Sequence, residues 1–263
     1  MFNDLPHEIT EQILTLAHYN EHSAWQKLAH VNHIWRSILL KFRYKKLLLT
    51  SPKKFNTDTR LIRRLDFLEW SSLSKLHINI AQFVKKVICT DNLRLKDLSR
   101  LSKFILPHGM HLDSIYINIR LLDISKLQLL CTLILSVKSI TVENQWNQTH
   151  SSNANKFPSK KELPKDVWNL FWSHFCVNTP DITLGSIPFL TEEDLKMIQS
   201  NLWQFSLQDC DLISNVGFSN VLQRSKFTLT HLTVRISKRI SEYILFHVAE
   251  CSFLKVLCII TEM

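Results

Sequence analysis

Residues 202–218, Leu202-Trp-Gln-Phe205-Ser-Leu207-Gln-Asp-Cys210-Asp-Leu-Ile213-Ser214-Asn-Val216-Gly217-Phe218, decide the fold. Apolar side chains at 202, 205 and 207, with Gln204 and Ser206 alternating between them, describe a short strand with one buried and one open face. A helix over Val216–Gln223 follows. The same apolar-x-x-apolar-x-apolar spacing recurs along the chain. It is found at Tyr44/Leu47/Leu49, Ile62/Leu65/Phe67, Val84/Val87/Cys89, Leu112/Ile115/Ile117 and Val137/Ile140/Val142. It continues at Thr179/Ile182/Leu184, Leu229/Leu232/Val234 and Leu254/Leu257/Ile259. Leu73/Leu76/Ile78 also fits, but so close to its neighbours that it reads as helix between two strands.

The units follow one another at mostly about 20–30 residues, the period expected of leucine-rich repeats. Helical segments fall between the strands, at Leu95–Ile105, Leu121–Leu133, Lys165–Phe175, Glu192–Gln199 and Ser241–Ala249. Thr191 followed by Asp194 resembles a capping box, with Asp in place of Glu. A strand and a helix repeated in this way predict an α/β fold: a curved solenoid over 44–263, with parallel strands inside and helices outside. Asn144–Pro164, rich in Asn, Ser and Lys, interrupts the rhythm and reads as a flexible insertion on one repeat.

Residues 1–43 follow another pattern. Asp4 can cap a first helix, with Pro6 in its first turn, where the missing N–H costs little. Ile9, Ile13 and Leu16 then recur on one helical face. Ser23 can cap a second helix carrying Trp25 and Leu28, and Val31, Trp35, Ile38 and Leu39 form a further apolar stripe. Three short helices bury little by themselves, so a partner or the attached domain must cover what remains.

The composition is that of a folded chain: 263 residues, 45% hydrophobic and 21% charged. Three glycines, Gly109, Gly185 and Gly217, are too few and too scattered for most phosphate-cradling loops. The net charge of +9 favours acidic partners, but the basic residues lie in dispersed doublets such as Lys45-Lys46, Arg63-Arg64 and Lys85-Lys86. Six cysteines without a CxxC pair, mostly in apolar runs, read as reduced core residues of an intracellular protein of cytoplasm or nucleus. The first residues do not have the form of a secretory signal, and the longest apolar stretch, Leu127–Val137, is too short to span a bilayer.

The front segment resembles the F-box. The matching residues are Leu5-Pro6-x-Glu8-Ile9, then Ile13 and Leu16, then Trp25, Leu28 and Val31, and Trp35-Arg36. The 202–218 unit resembles the cysteine-containing leucine-rich repeats of F-box proteins, as does, more weakly, Ile240-Ser241 with Cys251-x-x-Leu254-x-x-Leu257. The resemblance implies a non-catalytic substrate receptor of a Skp–cullin–F-box type ubiquitin ligase, without a cofactor. In that family three helices dock on a Skp-family adaptor, and through it on cullin. By position, Leu5, Pro6, Ile9, Ile13, Leu28, Val31 and Trp35 would face the adaptor or support that face. The repeats would hold a protein target, acidic or phosphorylated if Arg64 and Lys86 act together.

Alternation along the strands places Arg64, Lys86, Tyr116, Gln204, His231 and Arg235 on the open face, as candidate target-binding residues. Val256, Cys258 and Ile260 take the same face of the last strand but are apolar, so either the chain is truncated there or a partner covers that end. His18 with His22 has metal-ligand spacing but no third ligand, and no catalytic constellation is recognised. Two other expectations stay open: a structural F-box subunit of a non-ligase complex, and, ranked last, a basic nucleic-acid-binding scaffold. No membrane partner is expected.

Overall fold

The structure, a computed structural model, describes residues 6–20, 33–49, 63–64, 80–89, 95–105, 109–119, 123–144, 165–198, 201–237 and 239–261. The expected insertion at 144–164 and the Leu73/Leu76/Ile78 segment lie outside them, apart from Asn144. The protein is α/β. Among the described residues two helices, α1 (His7–Asn20) and α2 (His33–Tyr44), precede nine strands that form one wholly parallel sheet. The strands are β1 (Lys46–Leu49), β2 (Arg63–Arg64), β3 (Lys86–Cys89), β4 (Met110–Asn118), β5 (Ile134–Glu143), β6 (Asp181–Gly185), β7 (Gln204–Gln208), β8 (His231–Arg235) and β9 (Val256–Ile260). From β3 to β9 each strand pairs with the next in sequence.

The crossovers carry α3 (Leu95–Ile105), α4 (Ile124–Leu133), α5 (Lys165–Phe171), α6 (Glu192–Lys196), α7 (Asn215–Ser225) and α8 (Ile244–Ala249). Their apolar faces meet one face of the sheet. Val87, Ile115, Ile140, Ile182, Phe205 and Leu232 are buried there against Leu98, Leu127, Val167, Leu195, Phe218 and Val248 in one continuous core. Parallel sheets are usually covered on both faces. Here the second face has no described element over it, and the strands β6 to β8 accordingly alternate apolar with polar residues.

Local chemistry fixes the helix ends. Asp123 accepts a hydrogen bond from the Lys126 N–H at 2.8 Å and starts α4. The Asp194 carboxylate accepts from both the Thr191 N–H and the Thr191 hydroxyl, each at 2.8 Å, so the Thr191/Asp194 box forms as read. Ser214 accepts from the Val216 N–H at 3.2 Å and caps α7. Neighbouring units are tied through Arg224, whose guanidinium donates to the carbonyls of Leu195, Lys196 and Ile198 at 2.7, 2.7 and 2.9 Å, satisfying the end of α6. The segment expected as helix over Lys165–Phe175 runs from α5 into a π-helical turn, Trp172–Cys176. His174 there bonds the Ile134 carbonyl at 3.0 Å.

The strand order departs from the chain order at one place. Strand β2 does not sit between β1 and β3 but outside β1, at the sheet edge. Among the described residues β1 makes four registered pairs with β3, with Leu47 on Val87 in the buried layer, and two with β2.

Candidate functional site

Two surfaces stand out, the front helix and the open face of the sheet. On α1, Leu14 is buried with Trp35, Ile38 and Leu39 of α2 in a small cluster separate from the main core. Further along, α2 sends Leu40 and Tyr44 into that main core, so it belongs to both. The α1 stripe that carries Ile9, Ile13 and Leu16 is left out of both clusters, at 41%, 40% and 64% exposure. Burying a fully exposed side chain of this kind is worth about 1.5–3 kcal/mol, and roughly two-fifths of that at Ile9 and Ile13, and more at Leu16, is left for a partner to supply. Pro6 is exposed just before α1, and its carbonyl accepts from the Thr10 N–H and hydroxyl at 3.0 and 3.2 Å. Trp35 lies in the buried cluster, beneath the exposed stripe rather than on it. Leu5, Leu28 and Val31 lie outside the described residues.

The open face is ordered in rows by strand register. One row runs Lys46, Lys86, Ser114, Ser139, Asp181, Gln204, His231 and Val256 across β1 to β9 without β2. The next runs Ile88, Tyr116, Thr141, Thr183, Ser206, Thr233 and Cys258. Hydroxyls therefore repeat from strand to strand at about 4.8 Å. The Tyr116 hydroxyl donates to Glu143 at 3.0 Å. Glu143 lies over Gly185, where an added Cβ would come within 3.2 Å of its Cγ. Gly185 thus gives the carboxylate its place.

Of the residues singled out from sequence, Lys86, Tyr116, Gln204, His231 and Arg235 share this face. Arg235 is already engaged, donating to Asp209 at 2.7 Å, and His231 hydrogen-bonds the Thr230 hydroxyl at 2.9 Å. The expected grouping of Arg64 with Lys86 is corrected, because β1 lies between their strands and Arg64 is in register with Leu48. The neighbour of Lys86 is Lys46. Sequence reading passed over Asp181, which strand register places between Ser139 and Gln204.

Burial raises the Asp181 carboxyl above its ordinary value, opposed by the Ser139 hydrogen bond and the His231 charge, and its Oδ1 has no hydrogen-bond partner. A carboxyl raised on folding binds protons more tightly when folded. Its ionisation therefore weakens the fold as pH climbs from the unfolded value near 3.8 through the folded one, while below that window there is no penalty. Asp181→Asn is expected to melt higher than the parent at neutral pH, with the difference closing on acidification. A melting series against pH checks this; an equal or lower melting temperature at neutral pH would contradict it.

At the other end β9 is the sheet edge. Leu257, in register with buried Leu232, is itself 42% exposed, and Val256 and Ile259 are exposed with it. Cys258 shares this exposure, a departure from the expectation of core cysteines that Cys89, Cys176, Cys210 and Cys251 fulfil. Burial pushes the thiols of Cys89 and Cys210 up to about 12 and that of Cys131 to about 11. Only thiolates react. A maleimide at mildly alkaline pH is expected to modify Cys258 first and the buried thiols only on unfolding, as mass spectrometry of the digest would report; early modification of Cys89 or Cys210 would contradict the packing.

No protein-family profile matches the chain, and no curated protein is significantly similar to it in sequence. Among the described residues, no helix is long and apolar enough to cross a membrane.

Proposed function

We propose that this chain is a non-catalytic receptor subunit of a ubiquitin ligase, an F-box module followed by a leucine-rich-repeat solenoid. The observation that carries the reading is the uncovered Ile9/Ile13/Leu16 stripe on α1, whose buried side already rests on Trp35, Ile38 and Leu39. It lies where the resemblance to the F-box puts the adaptor contact. The platform behind it supports the same reading. A parallel sheet with consecutive pairing and one open face is what stacked strand–helix repeats produce. In the best-matching unit Cys210, Ile213, Gly217 and Phe218 are all buried, as its repeat-like spacing requires.

In this account the front helices bind a Skp-family adaptor, the open face holds a protein target, and ubiquitin transfer is promoted in trans by proximity. The chain supplies no reacting group and needs no cofactor. The test is co-purification: the parent chain is expected to bring down adaptor and cullin, and Leu5→Ala with Pro6→Ala to lose both. Adaptor without cullin would point instead to a structural F-box subunit, and no adaptor at all would end the receptor account.

A further inference from the structure

We infer that Lys45, Lys46, Lys85 and Lys86 form an anion-docking corner for the acidic or phosphorylated end of an extended polypeptide, whose remainder crosses the open face toward Asp181. The inference deepens the receptor reading and rests on it for the open face being a target platform.

The two lysine doublets are far apart in sequence, but the fold stacks them. Lys46 and Lys86 are register partners on β1 and β3. The N–H groups of Lys85 and Lys86 both donate to the Lys45 carbonyl, at 3.0 and 2.8 Å. Like charges directly opposite one another across strands oppose pairing. Among the described residues none of the four has an ion-pair partner. Asp113, whose N–H bonds the Lys85 carbonyl at 2.8 Å, is engaged by Lys138 at 3.0 Å. Lys45 and Lys85 are exposed, and Lys46 and Lys86 half-exposed on the open face. The corner thus concentrates positive charge that nothing described neutralises.

The rest of the face selects the kind of anion. Continuing along the row from Lys86, Ser114 and Ser139 lead to Asp181, and Glu143 lies on the same face. The sign therefore reverses within three strand spacings, about 14 Å, the reach of four or five extended residues. A nucleic-acid backbone carries the same charge throughout and would meet those carboxylates. A polypeptide can change sign along its length, and the intervening hydroxyls can bond its backbone. The ligand this surface fits is a segment with phosphate or clustered carboxylates at one end and Lys or Arg about four or five residues away.

Fluorescence anisotropy on the full chain tests this, with four probes: a glutamate-rich peptide carrying a downstream arginine, its phosphoserine counterpart, a neutral scramble, and single-stranded RNA of matched charge. The two acidic peptides are expected to bind and the scramble not to; their ratio distinguishes phosphate from carboxylate. Lys46→Ser with Lys86→Ser should weaken binding roughly tenfold or more. Lys46→Glu should do the same while raising the melting temperature, because it turns a repelling cross-strand pair into an attracting one; a merely structural lysine would lose both together. Equal binding by parent and double variant, or tighter binding of RNA than of peptide, would overturn the inference. Adaptor capture is measured on the same proteins. Capture without peptide binding removes the docking corner and leaves the receptor reading, whereas peptide binding without capture does the reverse.

Discussion

Ile9→Asp combined with Ile13→Asp is expected to abolish capture of a Skp-family adaptor and to leave the fold nearly unchanged. Both side chains are far enough from the α1–α2 cluster that the described residues leave them about two-fifths exposed. Loss of the apolar area they already bury is expected to cost about 1 kcal/mol each, well short of unfolding the chain. In a complex the same two positions would be dry, and each buried carboxylate without a partner would cost several kcal/mol. The expected loss of affinity is on the order of a hundredfold or more. Leu14→Asp is the converse control. Leu14 is fully buried against α2, so this change should unfold the front module itself. Adaptor titration together with melting of each variant separates the two. A double variant that still captures adaptor at parental strength would show that the exposed stripe is not the contact.

The largest expected effect on stability lies in the sheet core. Phe205 is completely buried on β7, 5.8 Å centroid to centroid from Phe218 on α7. Truncation to alanine removes the ring and leaves a cavity between strand and helix, at a cost of about 3–5 kcal/mol. For a chain of this size that corresponds to a melting temperature lower by roughly 10 °C. Its neighbour Trp203 is mostly solvated, and Trp203→Ala should change stability by only about 0.5 kcal/mol. Chemical denaturation of both variants checks the contrast. Because each unit contacts chiefly its neighbours, exchange protection is expected to fall most in β6, β7 and β8 after Phe205→Ala and least in β3. A small, equal effect of the two substitutions would mean that the apolar positions of this unit do not face the helices.

Much of this was legible in the sequence, because the signals involved are local. The segment Leu95–Ile105 reads as a helix with the bounds observed, and Thr191 and Asp194 announced the start of α6. Period-two alternation identified the buried residues of β4 to β8, and with them which residues share the open face. What escaped is non-local. Which strand takes the inner edge of β1 is settled by pairing between distant segments. The separation of Arg64 from Lys86, and the meeting of Lys46 with Lys86, follow from that order and from no pattern within either segment. Trp35 reads equally well as a contact residue or as a support; only the packing of Leu14 against it makes it a support. Cys258 looks like any cysteine in an apolar run until β9 is seen to be an edge, with its core-register neighbours Leu257 and Ile259 exposed.

The account turns on whether the apolar stripe of α1 receives a second protein. Hydrogen exchange of the purified chain, alone and with a Skp-family adaptor, reads this most directly. Protection is expected to rise across residues 7–20 on mixing, in a one-to-one complex, while β6 to β8 are unchanged. Exchange in 7–20 that is the same with and without a saturating excess of adaptor would contradict it.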